Sequence, residues 1–194
     1  FSQAETKDMN LVKHNRGGAL TMYDIYANAE NDLWRFWLGR GGNRTLFTIG
    51  LNPSIATKEK SDTTIAKVDC VAKRTGFDGF VMLNLYPVRA TDYNALPQEA
   101  NHEAFSMNLA KIEELLVSNP SPVVWVAWGE NILARKFLIA ACRELFDRFE
   151  KYNAPWQHFG PPTRSGHPRH PSRLHYKWEF APFDMRRYLE KLGA

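Results

Sequence analysis

Three polar side chains stand where apolar runs of this sequence stop. Asn52 and Ser54 follow the β-rich run Thr45–Gly50 in TLFTIGLNPS, and Asn84 lies near the end of a second run, GFVMLNL. His170 lies in Gly160–Lys177, GPPTRSGHPRHPSRLHYK, which carries Arg164, Arg169, Arg173 and Lys177 and no acid. A carboxamide both donates and accepts, so it can read the edge of a heterocycle or orient a water. An imidazole titrates near neutrality and can donate toward a leaving group. A basic, proline-rich loop suits phosphates. Each type also has an ordinary use. Asn and Ser are common turn residues. A buried Asn84 either binds backbone or faces a ligand. A charged loop is commonly a solvated face. His167, His170 and His175 are irregularly spaced without a nearby carboxylate or cysteine, which argues against a metal site.

The elements between these residues must bring them together. Thr45–Gly50, Gly79–Leu85 and Val123–Ala127 are short apolar runs that predict buried strands, with a fourth short strand over Pro155–Phe159. A helix is predicted from Asp62 to Thr75, capped by Ser61 or Asp62 and stopped by Gly76. A second spans Asn101–Val117, on the spacing of Phe105, Leu109, Ile112 and Leu116. A third runs from Glu130 to about Tyr152, with Leu133, Phe137, Ala141, Leu145 and Phe149 as its buried stripe. Pro182–Leu192 closes the chain as a short amphipathic helix. Leu20–Tyr26 and Leu33–Leu38 either pair as a hairpin or cover one side of the core. The alternation predicts an α/β fold, a three-layer αβα sandwich around a mostly parallel four-stranded sheet. Residues 1–19 are expected to form an irregular arm, and 20–194 one domain.

Ligands of such sheets bind at the carboxyl ends of the strands, where Asn52, Ser54 and Asn84 fall. The chain of 194 residues carries a formal charge of +4, which permits a polyanionic partner. Its two cysteines, Cys70 and Cys142, form no CxxC pair, which excludes a Cys-based zinc or iron–sulfur framework and fits reduced, buried thiols. No run approaches the ~20 apolar residues of a membrane span, and no signal-peptide pattern opens the chain. A cytoplasmic monomer without metal or cofactor is the expectation.

Four segments at successive strand ends carry a resemblance. Gly50-Leu51-Asn52-Pro53-Ser54 resembles the water-activating motif of the uracil-DNA glycosylase superfamily, in the form used by its mismatch-specific thymine/uracil branch. Leu83-Asn84-Leu85 with its following loop, Trp128-Gly129 after VVWVA, and His170-Pro171-Ser172-Arg173-Leu174 resemble three further motifs of that superfamily. The chain also resembles an uncharacterised bacterial and phage family with LNPS, acidic D-P-T and PRHP motifs, here Leu51–Ser54, Asp62-Thr63-Thr64 and Pro168–Pro171, over roughly residues 34–174.

The resemblance implies a DNA glycosylase acting on a flipped uracil or 5-substituted pyrimidine. Asn52 would position water, and His170 would donate to the pyrimidine O2 as the base leaves. Asn84 would read the base edge, in a pocket shared with Leu51, Ser54 and Tyr86. Leu174 would fill the vacated stack, while Arg164, Arg169, Ser172, Arg173 and Lys177 would meet DNA. The departures are specific. Asn52 is not an aspartate, so a strong general base is absent. No aromatic residue lies between Gly50 and Gly76 to stack on the base, which leaves Tyr86, Trp34 or Trp128. Ser54 is small where strict uracil enzymes carry a bulky guard, which leaves room for a 5-substituent. A non-catalytic nucleic-acid or nucleotide binder, or an enzyme acting on free nucleosides, fits the same residues.

Overall fold

A computed structural model describes residues 22–193; the expected arm at 1–19 lies outside them. The chain forms β1 (Ile25–Ala29), β2 (Trp34–Arg40), β3 (Thr45–Gly50), α1 (Thr63–Arg74), β4 (Gly79–Asn84), α2 (His102–Val117), β5 (Val123–Val126), α3 (Lys136–Glu150), β6 (Trp156–Phe159), β7 (Phe180–Pro182) and α4 (Met185–Leu192). The result is a mixed α/β fold with one seven-stranded sheet in the order β1-β2-β4-β3-β5-β6-β7.

The four strands expected from the apolar runs are its parallel centre: β4 on β3, β3 on β5 and β5 on β6. The four-stranded sheet is therefore corrected to seven. The hairpin β1–β2 adds two antiparallel strands on one side, and β7 adds one to β6 on the other. The hairpin turn places Glu30, Asn31 and Asp32 at positive φ, a conformation that Asn and Asp tolerate. Strand β7 is only three residues long, too short to leave an alternation in the sequence.

Two apolar layers cover the sheet. On one face Phe47, Ile49, Val81, Leu83, Val124 and Val126 pack with residues of α2, α3 and α4. On the other, Leu46, Phe80, Met82 and Trp125 pack with Ile65, Val68, Val71 and Ala72 of α1. The fully buried Phe47 typifies this core; truncation of such a ring costs about 3–5 kcal/mol.

Helix α1 starts where Asp62 accepts from the Ile65 N–H at 2.9 Å, and α2 where Asn101 accepts from Ala104. The long third helix is corrected. Glu130–Ala134 is a 3-10 turn, and α3 begins only at Lys136. Leu133 is accordingly exposed, and Ile132 takes the buried position. Arg135 marks the break. Its extended backbone ends the turn, and its guanidinium donates to the carbonyls of Asn94, Leu96 and Pro97.

Candidate active site

The carboxyl ends of β3, β4 and β5 open into a cavity of about 700 Å³. Its wall includes Leu51, Asn52, Ser54, Asn84, Arg169, His170, Ser172 and Arg173. Segments separated by more than a hundred residues thus meet where the sequence placed a ligand. Lys67 of α1 helps to hold them, donating to the Ser172 carbonyl at 2.8 Å.

Asn84 is the most distinctive of these groups. It ends β4, is completely buried, and neither its Oδ1 nor its Nδ2 has a protein partner. A buried polar group left unpaired costs about 1–3 kcal/mol. Its backbone is held: the Asn84 carbonyl accepts from the buried Asn108 of α2 at 3.0 Å. Opposite it in register stands Gly50. A Cβ at Gly50 would meet the Met82 methyl at 2.5 Å and Asn84 Oδ1 at 3.0 Å, so glycine lets both side chains pack against the end of β3.

Asn52 is held differently. Its Nδ2 donates to the Ala90 carbonyl at 2.8 Å and the Pro53 carbonyl at 3.1 Å. Both neighbours are acceptors, so the nitrogen must face them. Oδ1 is left as an acceptor without the strength of a general base.

His170 caps the 3-10 turn Pro171–Arg173. Its Nδ1 accepts from the Ser172 N–H at 3.2 Å and lies 2.8 Å from Ser172 Oγ. A backbone N–H can only donate, so the neutral ring carries its proton on Nε2. Burial holds its pKa below the ordinary 6.5; Asp62 opposes this, and Arg173 and Lys67 reinforce it. The ring is therefore a neutral donor at pH 7. Gly129 lets it approach: the φ of 75° favours glycine, and a Cβ there would stand 3.3 Å from His170 Cβ.

Arg35 of β2 is a residue that sequence reasoning missed. It lines the cavity at 2% exposure. Its Nη1 donates to the Ala56 carbonyl at 3.1 Å, and its Nε has no partner. Burial, helped by the nearby Arg89, lowers its pKa to about 10, so it remains a cation at neutral pH. Arg89 itself is paired with Asp32 at 3.0 Å. A charged residue inside the apolar strand WRFWLG is the signal that could have singled out Arg35. Asp62, Tyr93 and Glu130 also line the cavity without having been expected there.

Several expected residues lie elsewhere. Tyr86 is completely buried; its hydroxyl accepts from the Asn101 N–H at 2.8 Å and its ring packs on Phe137. It is core and touches no base. Trp34 is also buried away from the cavity wall, among Phe36 and Ala104, which leaves Tyr93 and Trp128 as the aromatic rings lining it. Leu174 is half-buried against the α1-side core, not presented as a wedge. Arg164 and Lys177 are exposed outside the cavity wall. His167 is buried, its Nδ1 2.9 Å from the Tyr188 hydroxyl, which also accepts from the Trp128 indole at 3.0 Å. That chain anchors the basic loop to β5 and α4. Among the described residues no cluster of three or more His, Cys, Asp or Glu could hold a metal, and no helix is long and apolar enough to cross a membrane.

Residues 32–172 match the family model described as Protein of unknown function (DUF1643). The chain belongs to that family. The DUF1643 match takes in Arg35, Asn52, Asn84, Arg169, His170 and Ser172, and leaves out Arg173. Comparison with curated proteins and with solved structures gave no significant match.

Proposed function

We propose that the chain is a DNA glycosylase that hydrolyses the N-glycosidic bond of a flipped uracil or 5-substituted pyrimidine. The observation that carries this reading is the Asn84 carboxamide, buried and unpartnered in a polar cavity at the carboxyl edge of the sheet. A carboxamide offers one donor and one acceptor side by side, complementary to the O4 and N3–H of a uracil-type base. A solvated ligand edge would satisfy both atoms; the protein satisfies neither.

The remaining groups fit the same reaction. As the C1′–N1 bond breaks, its electron pair goes to the base and negative charge grows on O2. The Nε2–H of His170 would donate to that oxygen, an interaction strongest in the transition state. Water adds to C1′ and supplies the proton that the base takes up. Asn52 Oδ1 would accept from this water and orient it. Because it cannot take the proton, the bond must be well advanced in breaking before water attacks. Tyr93 would contribute ring surface to the base, and Ser54 leaves the 5-position open. Arg169 and Arg173 at the cavity wall, with Arg164 and Lys177 outside it, would meet phosphates.

Base release from single- and double-stranded DNA tests this reading. The substrates carry uracil, mismatched thymine or a 5-substituted pyrimidine. The wild type is expected to release one of them, and His170→Ala to release it ~10²–10³-fold more slowly while DNA binding persists. Tight DNA binding without release from any substrate would instead make the chain a non-catalytic binder. Release of bases from free nucleosides alone would remove DNA from the account.

A further inference from the structure

Arg35 is a cation sealed into the cavity without a counter-charge of its own. It comes from β2, the strand hydrogen-bonded to β4, so its backbone lies roughly 5 Å from that of the strand that ends in Asn84. Its neighbours are committed elsewhere. The Asp32 carboxylate pairs with Arg89. The Asp62 carboxylate accepts from the Ile65 and Ala56 N–H groups, and among the described residues no acid forms an ion pair with Arg35. One guanidinium hydrogen bond goes to a backbone carbonyl, and the Nε is buried unmatched. A structural arginine at such depth is normally matched by a carboxylate or a set of carbonyls, because an unmatched buried charge is strongly unfavourable. The guanidinium fork instead fits two oxygens of a carboxylate or phosphate.

We propose that Arg35 binds an oxyanion carried by the ligand, seated beside Asn84 in the deep part of the cavity. The inference rests on the glycosylase reading only for the base; the anion site stands on Arg35. A substituent on C5 is adjacent to O4, so in a base whose O4 and N3–H edge meets Asn84 with O4 on the β2 side it would lie toward Arg35. The small Ser54 lines the same cavity. The ligand class is therefore a pyrimidine with an acidic group on C5. The alternative source of the same oxyanion is the 5′-phosphate of a free nucleotide.

Titration calorimetry separates the two sources. The probes are uracil, 5-carboxyuracil, deoxyuridine and deoxyuridine 5′-monophosphate, each added to the wild type, Arg35→Gln and Arg35→Lys. The wild type is expected to bind 5-carboxyuracil at least about tenfold more tightly than uracil, as a charge-assisted contact would give. Arg35→Gln should lose that preference and keep the uracil affinity, and Arg35→Lys should retain part of it. A preference confined to the monophosphate over deoxyuridine would keep the oxyanion site and overturn its place on C5. Equal affinity for charged and neutral members of both pairs in the wild type overturns the proposal, and this comparison holds even if Arg35→Gln does not fold. An anion preference intact in Arg35→Gln overturns it as well. Because the probes are free bases and nucleotides, an anion preference without base release from DNA would sink the glycosylase reading alone.

Discussion

The two ends of the parallel sheet use polar residues in opposite ways. At the amino end, Asp78 accepts from the Arg44 N–H at 2.6 Å and the Asn43 N–H at 3.1 Å, which holds its carboxyl below the usual range. Arg40 donates to the Asp78 carbonyl and pairs with Asp69 at 2.6 Å, and Lys73 meets the other Asp69 oxygen at 2.8 Å. These charges are answered within the protein. At the carboxyl end, the Asn84 carboxamide has no partner and Arg35 has no acid. The first end is a clasp joining β2, β3, β4 and α1. The second holds unmet hydrogen-bonding capacity inside a cavity. Groups paired within the chain stabilise the fold; on the proposed reading Asn84 and Arg35 are left unpaired for a ligand, and the fold bears their cost.

Substitutions that separate stability from function sharpen this contrast. Of these substitutions the largest effect is expected from Asn84→Asp, which replaces the amide donor with an acceptor; on release it should rank after His170→Ala. Release of a uracil-type base should fall by the equivalent of about 1–3 kcal/mol, measured as single-turnover rate. An unchanged rate and base preference would remove Asn84 from recognition. Asp69→Asn at the opposite end should do the reverse. It should lower unfolding free energy by roughly 0.5–1 kcal/mol, since its ion pairs are partly exposed, and leave base release intact; urea denaturation and the release assay check it together. The smallest effect is on salt dependence. Neutralising Arg169 or Arg173 should each reduce the slope of log affinity against log salt by ~1, and a flat salt response in the wild type would exclude phosphate contacts.

Much of this contrast could be read from residue patterns. The apolar runs ending in Asn52 and Asn84 located the parallel strands, because a buried strand needs continuous hydrophobicity and a turn must end it. His170 joined them through the resemblance of His170–Leu174 to a superfamily motif, since the same loop also carries His167 and His175. Arg35 did not, since a single arginine in an aromatic-rich segment reads as the exposed face of an edge strand. The segment carrying Ala56 and the side chain of Arg89 enclose it. Tyr86 was misplaced by its position two residues past Asn84. Sequence adjacency to a strand end does not say which side of the sheet a ring enters, and packing against Phe137 decided it. Leu133 failed for a similar reason: a four-residue periodicity continued on paper through Arg135, whose extended backbone ends the turn.

Thermal unfolding of Asn84→Leu beside the wild type, with and without a releasable pyrimidine base, tests most directly whether the unpaired carboxamide is kept for a ligand. Leucine has the same number and branching of side-chain heavy atoms and leaves no buried polar atom. The account predicts an unchanged or raised Tm for the free variant and loss of the Tm increase that the base gives the wild type. A variant with a lower Tm and an undiminished ligand shift would contradict it, making Asn84 part of the scaffold.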